Sequence, residues 1–201
     1  MGNYWSPLVG ASNFLRRNVF TASYLYDFPH AAAFKGPVNT IINGWSISGV
    51  VIVETGLPFS ISDSRGGTIY GVGGSGSSSY AQFAAGMGPN NVSISNPTLS
   101  HYFNTSAFTL PPTVGNGTGF GNAPKTFMTG PGFWNTDFSL IKAIPIREPL
   151  NMEFRAELFN LFNHPNFGNP GANVSSTSSF GVISSTVSSP RIAQFAVKFR
   201  F

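Results

Sequence analysis

Apolar and polar residues alternate with a period of two in five stretches of the chain. The clearest is the last, where Ala193, Phe195, Val197, Phe199 and Phe201 alternate with Gln194, Ala196, Lys198 and Arg200. A period of two gives a strand with one apolar and one mostly polar face. Residues 150–158 repeat it, with Leu150, Met152, Phe154, Ala156 and Leu158 on one side and Asn151, Glu153, Arg155 and Glu157 on the other. Several of these residue types also favour helices. A helix, however, would mix the two sets around its circumference, so the alternation predicts a strand. Residues 133–142 set Trp134, Thr136, Phe138 and Leu140 against Asn135, Asp137 and Ser139, and a proline-containing turn over 144–149 makes a hairpin with the 150 strand. Upstream, Phe20, Ala22, Tyr24, Tyr26 and Phe28 oppose Thr21, Ser23 and Asp27. Residues 45–54 set Trp45, Ile47, Gly49, Val51 and Val53 against Ser46, Ser48 and Glu54, with Phe59 and Ile61 continuing the run past Pro58.

The connections alternate in length. Residues 29–42 and 145–149 are short; 63–132 and 163–189 are long. Short links on one side and long ones on the other predict an all-β, antiparallel, up-and-down chain. The longest connection contains the Gly/Ser-rich run Gly71–Ser79, and between Asp63 and Asp137 its only charges are Arg65 and Lys125. A structureless loop of that length is out of place inside a compact soluble domain. It suits an outer-membrane barrel, whose outer loops are long and whose opposite turns are short.

Composition narrows the choice. Charged residues are 9% of the 201, against roughly 25% in a typical soluble domain, while aromatics reach 14% with 20 Phe. That balance excludes a disordered tail, which needs much charge and few aromatics. It equally excludes a coiled coil, whose solvent faces need Lys, Glu and Arg. The net charge of +4 rests on only 11 basic and 7 acidic groups, a poor footprint for nucleic acid. There is no cysteine, and hence no disulfide or thiolate site. The first residues lack the pattern of a signal peptide. No apolar run approaches the 18 or so residues of a membrane helix, so any membrane crossing is by strands.

Two placements of the faces follow. In a secreted soluble β-sandwich, a binding or adhesion module, the apolar faces form the core and the aromatics are ordinary core residues. In a membrane barrel the apolar faces meet outer-membrane lipid, and Asp27, Glu54, Asp137, Glu153, Arg155, Glu157, Lys198 and Arg200 line a wet lumen. Low total charge fits the second placement, since half of each strand surface is then in lipid. So does the aromatic pattern: Tyr26, Phe28 and Trp45 at the short-link ends and Trp134 at the long-link end form two girdles.

No catalytic chemistry emerges. Gly71–Gly76 matches G-x-G-x-x-G, but no helix pattern or ribose-binding carboxylate follows it, and a plain loop is expected. His30, His101 and His164 have no His or carboxylate three or four residues on, so neither a metal site nor a cofactor site is expected. His164 is expected to hydrogen-bond within its loop. Glu153 and Glu157 are read as a lumen charge ladder balanced by Arg155, Lys198 and Arg200 rather than an acid–base pair. The chain is not expected to be an enzyme.

Residues 134–201 resemble the end of the barrel of TonB-dependent outer-membrane receptors, in the carboxypeptidase-regulatory-like-domain-containing, Oar-like group. The resemblance is carried by Asp137–Lys142, by Phe154–Phe167 with its Asn160-Leu161-Phe162-Asn163-His164-Pro165-Asn166 core, and by Pro190–Phe201. Asn43-Gly44-Trp45, Thr55–Phe59 and Tyr102–Phe108 resemble the preceding strands and loop. It implies that residues 1–201 are a partial barrel domain, the C-terminal strands of a receptor whose upstream strands, plug and TonB-contacting segment lie elsewhere. The complete receptor would import a ligand through the cell outer membrane, reaching TonB only through that plug. The terminal strand, with Phe195, Val197, Phe199 and Phe201, resembles those read by the barrel-assembly machinery.

Overall fold

The computed structural model describes residues 10, 12–65, 79–114, 117–119 and 121–201. The Gly71–Gly76 run lies outside the described residues. The chain divides into two compact units. One takes Asn18–Glu54, Phe133–Asn166 and Ser188–Phe201; the other takes the described parts of Thr55–Gly132, Phe167–Val187 and the residues before Asn18.

The first unit is a five-stranded antiparallel sheet of β1 (Val19–Asp27), β2 (Trp45–Glu54), β3 (Phe133–Arg147), β4 (Leu150–Phe159) and β5 (Ile192–Arg200), each strand beside its neighbours in sequence. All five period-two stretches are strands, and they are 9 to 15 residues long. A tilted strand needs about 9–11 residues to cross a bilayer.

The short link before β2 contains α1 (Gly36–Ile42), entered through Gly36 at φ +63° with Pro37 in the first turn. Two expectations from the sequence are corrected by this sheet. The hairpin turn is tighter than 144–149: β3 runs on through Pro145 to Arg147, with a bulge between them. Pro145 is tolerated because pairing with β2 has ended before it. The last β2 partner is Trp45, opposite Lys142, and Ala143 N–H then donates to the Gly44 carbonyl at 2.8 Å. At position 145 that side has no ladder bond left for a proline to break. Finally, β2 stops at Glu54 rather than continuing to Phe59 and Ile61. Gly56 lies against the backbone of Gly130, where an added Cβ would sit 1.8 Å from the carbonyl oxygen.

The second unit overturns the expectation of a structureless connection over 63–132. Phe59, Ile61, Ala81, Phe83, Val92, Phe103, Ala107, Phe108, Ala123, Met128 and Val174 are buried together. Two-residue ladders tie the segments: Pro58–Phe59 with Met128–Thr129, Ser62–Asp63 with Ser79–Tyr80, and Gln82–Phe83 with Phe108–Thr109. The fully buried Asp63 carboxylate pairs with Arg65 at 2.8 Å, and Arg65 also donates to the Pro111 carbonyl at 3.0 Å. One of the few charges of this stretch thus holds it in place. Burial raises the pKa of the Tyr102 hydroxyl above its ordinary value, and that hydroxyl donates to the Thr129 carbonyl at 3.2 Å.

Candidate functional site

Residues directly opposite in an antiparallel ladder share a face, so the register sorts the sheet. Glu153 is opposite Lys198 and Ala143; Arg155 opposite Ala196 and Ile141; Glu157 opposite Gln194 and Ser139; Asn151 opposite Arg200. Following the same rows through β2 and β1 adds Asp137, Ser48, Ser46, Asp27 and Glu54. Every charge read from the sequence as lumen-facing therefore falls on one face.

On that face Glu153 is the centre of an ion-pair group. Its Oε1 is 2.5 Å from Arg155 Nε and its Oε2 is 3.1 Å from Arg200 Nη2. Asp137 acts on the backbone instead. Its Oδ1 accepts from Asn135 Nδ2 and from the Asn160 backbone N–H, both at 2.9 Å. It shapes the sheet end as well as charging the face.

The other face carries Phe20, Tyr24, Tyr26, Trp45, Ile47, Val51, Val53, Trp134, Phe138, Leu140, Met152, Phe154, Leu158, Phe195, Val197 and Phe199. Phe154 stacks on Phe195 with ring centres 6.3 Å apart. At Gly49 the Tyr24 ring crosses the gap left by the missing side chain, since a Cβ there would come within 2.5 Å of the Tyr24 hydroxyl. Much of this apolar face is bare among the described residues. Phe195 is 69% exposed, and Phe20, Tyr26, Val197 and Phe199 are all more than half exposed. A sandwich would cover such a face with a second layer.

A buried cation interrupts the apolar face, and the alternation alone did not single it out. Lys142 is buried, with its Nζ 3.0 Å from the Ile41 carbonyl at the end of α1 and bonded also to the Asn43 carbonyl. The ammonium lies 4.8 Å from the centre of the Trp45 ring. Carbonyls left unpaired at a helix C-terminus attract a cation.

The aromatic ends fit two belts. Tyr26 and Phe28 meet edge to face at 5.2 Å beside Trp45, whereas Trp134 stacks on Phe162 at 5.4 Å with His164 at 4.9 Å. Along β3, Trp134 and Lys142, which faces Trp45, are eight residues apart. That is about 26 Å along the strand, or about 20 Å of height at the ~40° tilt of a barrel, against an apolar band about 25 Å tall in outer-membrane barrels.

The Asn160–Asn166 segment continues the ladder with side chains where β3 outruns β4. Asn160 and Asn163 both take the left-handed conformation, φ 51°, which asparagine tolerates better than most residues. Asn160 Nδ2 donates to the His164 and Ser189 carbonyls, and Asn163 Oδ1 accepts from Arg191 N–H. Asn166 is 1% exposed and replaces a strand partner for Trp134: its Oδ1 accepts from Trp134 N–H at 2.7 Å and its Nδ2 donates to the Trp134 carbonyl at 2.9 Å. His164 bonds within its loop, as expected, and does so through its backbone. Its buried Nδ1 has no partner among the described residues, and the ring packs on Trp134. Replacing Asn166 with Ala should cost about 1–3 kcal/mol by leaving two buried backbone groups unpaired. Asn166→Asp keeps the acceptor for Trp134 N–H but sets a buried carboxylate oxygen against the Trp134 carbonyl, and should cost at least as much at neutral pH. Denaturant midpoints of the three proteins check both.

Among the described residues no three His, Cys, Asp or Glu side chains group so as to hold a metal, and no helix is long and apolar enough to cross a membrane. Residues 3–194 match the family described as outer membrane beta barrel domain. The chain belongs to that family. Its place is the outer membrane, and the soluble-sandwich alternative falls with the bare apolar face. Neither the curated proteins nor the solved structures gave a match to this chain. In an outer membrane beta barrel domain, strands long enough to cross, aromatic residues at both ends and charges on one side form a single pattern.

Proposed function

We propose that the sheet is part of the wall of a TonB-dependent receptor barrel of the Oar-like group, with its apolar face in lipid and Asp137, Glu153, Arg155, Glu157, Lys198 and Arg200 lining a wet lumen. The observation that carries the reading is the segregation of every strand charge but Lys142 and Arg147 from a bare aromatic and aliphatic face. Five strands do not close, because about eight is the smallest barrel. The outer edges of β1 and β5 therefore pair with further strands, since an unpaired backbone edge in hydrocarbon costs several kcal/mol per group. In this reading β5, with Phe195, Val197, Phe199 and Phe201, is the strand recognised by the barrel-assembly machinery through edge pairing. The long connections 63–132 and 163–189 are read as outer loops of the complete receptor, which would meet its ligand. The role is transport without catalysis, and TonB is reached through a plug.

The test is uptake. Depletion of solutes from the medium is compared in cells with the intact gene, with the gene deleted and with TonB deleted. A receptor predicts at least one solute whose depletion is lost in both deletions. Solutes lost with the gene but unaffected by loss of TonB would mark a passive pore instead.

A further inference from the structure

The helix α1 is built inside out for a protein in water. Its polar Asn39 is half-buried and accepts from Asn43 Nδ2 at 2.7 Å, and the Asn43 amide holds both the N–H and the carbonyl of Ala31. Its apolar residues point outward instead: Val38 is 48% exposed and Ile41 67%, with Ile42 also exposed and Phe34 exposed just before the helix. The spacing of 38, 41 and 42 puts them on one helical stripe. The C-terminal end is pinned across the apolar face of the sheet, because the Ile41 carbonyl accepts from Trp45 Nε1 at 2.8 Å as well as from Lys142 Nζ. Between this end and the sheet lies an open groove of about 520 Å³ lined by Phe28, Pro29, Ile42, Trp45 and Leu140. Its size lies within the ~300–1,000 Å³ of pockets that hold small ligands. Every lining residue is apolar or aromatic, and Trp45 and Leu140 belong to the apolar face itself.

We infer that this groove is a phospholipid site: it seats an acyl chain, while α1 lies in the membrane interface with its apolar stripe in the lipid. The inference rests on the reading that the apolar face meets lipid, and the groove is continuous with that face. An amphipathic helix buries its apolar side at the boundary of headgroups and acyl chains. Burying Lys142 and the indole N–H against helix carbonyls removes the polar groups that would otherwise repel a hydrocarbon chain at this spot.

These 201 residues hold three tryptophans, so replacing Trp5 and Trp134, together with any tryptophan elsewhere in the complete barrel, with Phe leaves Trp45 as the reporter inside the groove. Protein taken from the outer membrane is transferred into vesicles of phosphatidylcholine with brominated acyl chains, and Trp45 emission is compared with that in unbrominated vesicles. Bromine should lower the emission about two-fold or more, and Ile42→Asp, or Ile42→Ser if the first does not assemble, should recover at least about half of the lost emission by expelling the chain. Phe154→Trp in a background with every native tryptophan replaced reports the sheet face independently of the groove. Quenching at 154 without quenching at Trp45 would overturn the groove and spare the face. Quenching at neither position would overturn both. Trp45 quenching equal with and without the Ile42 change would also overturn the site, since the ring would then only be touching bulk lipid.

Discussion

Phe154→Arg should destabilise the assembled protein clearly more than a change on the opposite face, since a cation on the lipid face of a barrel costs about 2–4 kcal/mol at the midplane and less toward the aromatic belts. Phe154 lies in the middle of β4, on the apolar face, opposite Val197 and Lys142. A second cation there faces hydrocarbon and a neighbour of like charge. The adjacent residue is the control. Glu153→Gln weakens contacts to Arg155 and Arg200, which are 41% and 59% exposed, and so should cost about 1 kcal/mol or less. Urea midpoints of protein folded into vesicles check the contrast; equal losses at 153 and 154 would contradict the face assignment.

Phe103→Ala should cost about 3–5 kcal/mol within the second unit, as expected for emptying a large aromatic site. Phe103 is 1% exposed and meets Phe59, Phe108 and Phe180 with ring centres 6.2, 5.9 and 5.2 Å away. Protease added to intact cells should cut residues 79–114 slowly in the native protein and much faster in the variant, with the sheet surviving in both. Rapid cutting of the native segment would mean that this packing does not hold in the cell.

That second unit is where the sequence misled. Its core residues, Phe83, Val92, Phe103 and Phe108 among them, are spaced irregularly because they sit in turns and two-residue ladders. Period-two reading finds long strands and nothing else, so glycine, serine and scarce charge made the stretch look structureless. The five strands and their faces were legible because alternation survives over nine or more residues, enough to fix each side chain to one face. Val50 and Ile52 blur it only because they fall on the polar face, opposite Asp137 and Asn135. Lys142 was not legible: with Ile141 it inverts the alternation and puts a cation on the apolar face, and what makes it tolerable is α1, a seven-residue helix too short to leave a pattern. The asparagine segment was visible as a resemblance, but its part in completing the ladder of β3 depends on where β4 ends.

Everything proposed for this protein depends on a two-sided sheet, and because these 201 residues hold no cysteine the two sides are directly measurable once any cysteine elsewhere in the complete barrel is replaced. Single cysteines are introduced in turn at positions 152 to 157 of β4, and labelling by a membrane-impermeant, water-soluble maleimide is followed in native outer membranes. A sheet with one face in lipid and one in the lumen predicts alternation, with fast labelling at 153, 155 and 157 and protection at 152, 154 and 156. Labelling that is uniform along the strand, or strongest at the even positions, would contradict it.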